Sequence, residues 1–172
     1  MRVSGVRALS LYMNNLRTFL LILGGISFIT VIGGAVYEHL AVVPVWASAV
    51  PASLAVFQGE YALRAQNFWI PIHPVTLILV ASALVLNWQT PRRNFILTTL
   101  AGYLLVLVIT FIYFVPELMA LTQSAYSTAV DPELTRRAGL WETLSLVRLA
   151  FLFVLAVLLL HGLSLPAEDR AV

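Results

Sequence analysis

The chain has 172 residues, 60% of them hydrophobic and only 10% charged, with a mean hydropathy of +0.93. So apolar a composition cannot be hidden from water by a soluble domain of this size and implies burial in a lipid bilayer. A formal net charge of +2, scattered along the chain, excludes a nucleic-acid footprint, and the lack of cysteine excludes disulfides, thiolate metal sites and cysteine nucleophiles.

Residues 1–17 are polar and carry Arg2, Arg7 and Arg17. The apolar run after them is too long for the core of a secretory signal and has no small-residue cleavage site, so it reads as a retained first span over 18–37. Its 20 uncharged residues cross a hydrocarbon core of about 30 Å. Gly24, Gly25, Gly33 and Gly34 make a packing seam inside the monomer or in a homo-oligomer.

Residues 41–67 begin apolar but contain Pro44 and Pro51, which would leave carbonyls unpaired in lipid. The expectation is a long non-cytoplasmic loop, or an interfacial helix, covering the mouth of the bundle. The second span is 68–88, with Pro71 and Pro74 near its start, where a missing amide hydrogen costs least. The third is 95–115, and the fourth is 143–160. Trp69, Trp88 and Trp141 stand at span ends, as an interfacial aromatic belt requires. The predicted fold is a single all-α domain, an integral membrane bundle of four transmembrane helices.

An even number of spans puts both termini on one side. That side carries Arg2, Arg7, Arg17, Arg92, Arg93 and Arg170, so the positive-inside rule makes it cytoplasmic. Six of the eight acids fall on the other side, together with His39 and His73. His161 stands apart at a helix C-terminus, where a cation is favoured.

The fourth span carries Trp141, Ser145 and Arg148 on one stripe, with Arg148 about 10 Å inward of Trp141. A guanidinium at that depth costs roughly 2.5 kcal/mol or more, so it should face the bundle interior and pair with Glu38 or Glu117. Thr110, Tyr113 and Glu117 form a comparable inward stripe on the third span. The plain alternative is a structural salt bridge or a snorkelling arginine, with Glu38, His39 and Glu117 as interfacial caps. Convergence of Glu38, His39, His73, Glu117, Glu142 and Arg148 on one mouth favours a functional pocket. His39 and His73 with neighbouring carboxylates would also suit one transition metal, although no compact ligand motif supports it. The cofactor expectation is therefore none, or a single metal ion.

Tyr37-Glu38-His39, Pro44-Val45-Trp46, Phe68-Trp69-Ile70-Pro71, Tyr113-Phe114-Val115-Pro116-Glu117 and Trp141-Glu142 with Arg148 downstream resemble the anthrone-oxygenase-like family of small four-span membrane proteins. The resemblance covers roughly residues 18–163 and implies a bacterial inner-membrane protein, since most members are bacterial and of unknown function. A fungal branch oxidises anthrones to anthraquinones without a conventional cofactor. Such chemistry implies an oxidoreductase acting on a hydrophobic aromatic small molecule, with His39 or Glu38 as base and Arg148 stabilising the anion beside Glu117. Trp46, Trp69, Tyr113 and Trp141 would be its aromatic walls, with Glu142 at the rim. The rival expectation is a non-enzymatic binding, carrier or assembly protein whose buried charges only order the bundle.

Overall fold

The computed structural model of the protein describes residues 2–169, with side chains from residue 7 onward. The side chain of Arg2 and the whole of Arg170, both part of the orientation argument, lie outside what is described. Among the described residues there is no strand. The order is α1 (Arg2–Tyr37), a π-helical turn (Glu38–Val42), α2 (Val43–Ala47), a 3-10 helix (Ala52–Phe57), α3 (Gln66–Leu86), α4 (Arg93–Ile109), a second π-helical turn (Thr110–Phe114), α5 (Val115–Thr122) and α6 (Pro132–Ser164). Four stretches are long and apolar enough to cross a membrane, namely Arg7–Ala47, Gln66–Leu86, Arg93–Thr122 and Pro132–Ser164.

The first stretch corrects the expectation that the helix stops before residue 41. Pro44 lies in the first turn of α2, directly after the π-helical turn, in which the Val43 amide donates to the Glu38 carbonyl five residues back. A proline inside an α-helix clashes with the carbonyl four residues before it. The wider π turn relieves that clash, so the helix continues instead of breaking. The same device recurs at Val115-Pro116, where the Val115 amide donates to Thr110. The irregular connection is thereby shortened from the expected 41–67 to 48–65, and its 3-10 helix buries Leu54.

The chain forms two compact units, each built from pieces of all four long helical stretches. The first comprises the described residues up to Val31, Ile70–Tyr103 and the described residues from Phe153. Small residues set its packing: a Cβ on Gly102 would lie 2.8 Å from Leu155, and one on Gly162 would lie 2.9 Å from the Cβ of Phe95. Close approach of this kind is what holds helices together where lipid surrounds them. Ser27 and Thr76 share a hydrogen bond of 2.6 Å, and His73 Nδ1 lies 2.7 Å from the hydroxyl of Tyr103, itself packed edge-on against Phe28.

Arg92 is buried in this unit and holds the end of α6, donating to the carbonyls of Leu163 and Leu165 and to the Thr18 hydroxyl. A guanidinium there satisfies carbonyls that a helix C-terminus leaves unpaired. Burial, and then the like charge of Arg17, hold Arg92 below the ordinary arginine pKa. Arg17 in turn donates to the carbonyls of Leu86 and Ala167 and pairs with Asp169 at 2.9 Å.

The second unit comprises Ile32–Trp69 and Leu104–Leu152. Its core gathers Val43, Trp46, Ala47, Val50, Leu54, Phe114, Leu121, Ala138 and Trp141. Trp141 packs on Trp46 and Phe114, with centroids 5.6 Å and 5.9 Å away, and its indole N–H donates to the Phe114 carbonyl at 2.9 Å. Each such aromatic pair adds about 0.5–1.5 kcal/mol beyond area burial. Trp141 is thus a core residue and not an interfacial anchor, whereas Trp88 is half exposed, with Arg93 over its ring. Asp131 caps α6 by accepting from the amides of Glu133 and Leu134, and Pro132 occupies the first turn, where no amide is needed.

Candidate functional site

The second unit holds Arg148 of α6. The Arg148 guanidinium donates from Nη1 to Thr110 Oγ1 at 3.0 Å and from Nη2 to Ser145 Oγ at 2.7 Å. Its central carbon lies 4.1 Å from the centre of the Phe114 ring. Ser145 is fully buried, and Thr110 spends its own hydrogen on the Val106 carbonyl at 2.7 Å, leaving its oxygen as an acceptor. The stripe of Trp141, Ser145 and Arg148 read from the sequence is therefore realised in α6.

The expected carboxylate partners are arranged differently. Glu117 is held by Arg137 through two hydrogen bonds of 2.8 Å each, so the expected Arg148–Glu117 pair does not form. The π turn explains the change. It holds more residues than an α turn, so beyond Thr110 the inward face moves on by one residue. Phe114, and not Tyr113, meets Arg148, while Glu117 turns to the neighbouring first turns of α6. Glu38 lies within electrostatic reach of both Arg148 and His39, and it accepts a hydrogen bond of 2.7 Å from the Trp69 indole. Among the described residues the ion pairs are Arg17–Asp169, Arg136–Glu133 and Arg137–Glu117, so Arg148 has no carboxylate within 4.0 Å.

His39 is buried at 9% exposure, and its Nδ1 lies 2.8 Å from the Ala35 carbonyl. Its Nε2 is buried without a hydrogen-bond partner among the described residues. Trp46 and Trp141 belong to the unit's packed core, whereas Trp69, Tyr113 and Glu142 are partly exposed. His73 belongs to the other unit, with Tyr103. Among the described residues no group of three or more His, Cys, Asp or Glu side chains is arranged to hold a metal ion.

Both π-helical turns fall at this site: one carries Glu38 and His39, and the other carries Thr110 and Phe114. Turns of this kind are concentrated at functional positions because they shift side chains out of the regular helical register. Sequence periodicity missed Phe114 and the Arg137–Glu117 pair. The signal that was present is the repeated Val-Pro step, at Val43-Pro44 and Val115-Pro116, each five residues after the start of a π turn. Compared with family models, curated proteins and solved structures, the chain has no match.

Proposed function

We propose that the protein is an integral membrane oxidoreductase that acts on a lipid-soluble aromatic molecule and holds that molecule's deprotonated oxygen against Arg148. The observation that carries this reading is the set of partners around the guanidinium, two neutral hydroxyls and one aromatic face. Arg148 is part-buried and its hydrogen bonds go only to neutral hydroxyls, with the Glu38 carboxylate in electrostatic reach but beyond 4.0 Å, so the guanidinium keeps donors for an anion, and the low dielectric of the site strengthens that contact. Phe114, Trp69 and Tyr113 are suited to an aromatic body. The resemblance to anthrone-oxygenase-like proteins supplies the reaction: a methylene carbon and one molecule of oxygen become a carbonyl and one water, with four electrons passing from carbon to oxygen. Arg148 would stabilise the carbanion or enolate from which that oxidation proceeds. In this reading the protein lies in a bacterial inner membrane with both termini cytoplasmic.

The test is oxygen uptake by purified protein supplied with anthrone. One oxygen consumed per anthraquinone formed, above the protein-free rate and lost in Arg148→Met, supports the reading. No excess over the protein-free rate contradicts the oxidoreductase. A second reading, a binding or assembly protein without turnover, is favoured by the same hydrogen bonds, because Thr110 and Ser145 use Arg148 to tie α6 to the second π turn. It predicts that Arg148→Met chiefly lowers thermal stability.

A further inference from the structure

We infer that His39 Nε2 is the proton acceptor of this site, taking the proton from a neutral hydroxylic or enolic ligand and keeping it while Arg148 holds the resulting anion. The inference rests on the reading of Arg148 as an anion site and adds the group that generates the anion.

The hydrogen bond at the other ring nitrogen fixes the chemistry of Nε2. A carbonyl oxygen only accepts, so the 2.8 Å contact between Nδ1 and the Ala35 carbonyl requires the hydrogen on Nδ1. In the neutral ring Nε2 then carries a lone pair, and the tautomer is set by the backbone. That lone pair is fully buried with no partner among the described residues. A buried acceptor without a partner forfeits the hydrogen bonds it would make in water, so a donor that reaches it is bound with corresponding advantage. A metal would use the same lone pair, but the site lacks the additional His, Cys, Asp or Glu ligands that such an ion needs.

The proton transfer balances within the unit. An O–H or acidic C–H bond of the ligand breaks, an N–H bond forms at Nε2, and the electron pair stays on the ligand. The imidazolium keeps its bond to Ala35 and lies in the field of the Glu38 carboxylate, which also reaches Arg148. The ligand anion meets Arg148, so neither new charge is left uncompensated in a low-dielectric site. His39 and Glu38 are sequence neighbours that open the π turn, at the point where the helix leaves its regular register.

The experiment uses para-nitrophenol, whose deprotonated form absorbs in the visible, with the whole protein in detergent at a pH where the free probe is protonated. Wild type should bind it with the phenolate band and release no net proton, measured by calorimetry in two buffers of different ionisation enthalpy. His39→Gln should either bind it without the band or release one proton for each phenolate bound. Proton release by wild type, or a variant that behaves as wild type does, overturns the inference. Nitrogen NMR of the protein labelled at its three histidines gives a ligand-free check. The signal lost in His39→Gln should show an unprotonated Nε2 that becomes protonated when the probe binds, and an Nε2–H tautomer in the free protein refutes the proposal. Failure of the underlying reading looks different: Arg148→Met would bind the probe as tightly as wild type does.

Discussion

Replacing Arg148 by methionine keeps a long unbranched stem and deletes the charge. The change removes the bonds to Thr110 at 3.0 Å and Ser145 at 2.7 Å and the stacking on Phe114. Polar contacts between membrane helices average about 0.6 kcal/mol each. Against that small loss, the variant no longer buries a guanidinium, which costs roughly 2.5 kcal/mol or more inside a membrane. Thr110 keeps its bond to Val106, and the Ser145 hydroxyl can turn to a carbonyl of its own helix. The fold should therefore melt at the wild-type temperature or above it. An anionic ligand, by contrast, loses a charge-assisted contact of about 2–3 kcal/mol, a weakening of roughly 30–140-fold. Binding is read from the para-nitrophenolate band and melting from tryptophan fluorescence of the same samples. Binding unchanged within about twofold, with melting lowered by more than about 4 °C, the upper end of the shift that one kcal/mol produces in a chain of this size, would contradict this prediction.

Gly162→Ala should lower thermal stability by the equivalent of about 1–3 kcal/mol, because the new Cβ meets the Cβ of Phe95, which cannot move without its backbone. Gly33→Ala meets nothing within 4 Å and should be neutral or stabilising by about 0.5–1 kcal/mol through helix propensity, so thermal melts of the two variants run in opposite directions. Arg92→Ala leaves the carbonyls of Leu163 and Leu165 without their donor, and hydrogen exchange of the amides at the C-terminal end of α6 should speed up while the centre of α6 is unchanged. Glu117→Gln breaks an ion pair whose partners are both partly exposed, and neither the melting temperature nor probe binding should change measurably.

Long apolar runs made α3, α4 and α6 legible, because twenty or so residues without charge have few other uses. The inward stripe of Ser145 and Arg148 was legible for the same reason, since α6 stays regular and 3.6-residue periodicity holds along it. Periodicity failed where the helices change register. Pro44 suggested an end to the first span, yet the π turn before it lets the helix run on to Ala47. Past Thr110 the same irregularity exchanged Tyr113 for Phe114 beside Arg148 and left Glu117 to Arg137. Trp141 was read as a belt residue because indoles at span ends commonly are, but position alone does not reveal that Phe114 offers a carbonyl and a ring face to it. The tautomer of His39 was hidden for a simpler reason: it depends on one backbone carbonyl a turn away.

The arrangement of Arg148, Glu38 and His39 has its proposed chemistry only in a chain that threads the bilayer, and that can be measured directly because the protein has no cysteine. Single cysteines are introduced as Gln89→Cys, in the turn between α3 and α4, and as Ala125→Cys, in the connection between α5 and α6, both exposed positions. In intact spheroplasts of a bacterial host, a membrane-impermeant maleimide should label Ala125→Cys and should reach Gln89→Cys only after lysis. Labelling of both from the same side would contradict a membrane crossing between them, and with it the account of the buried site.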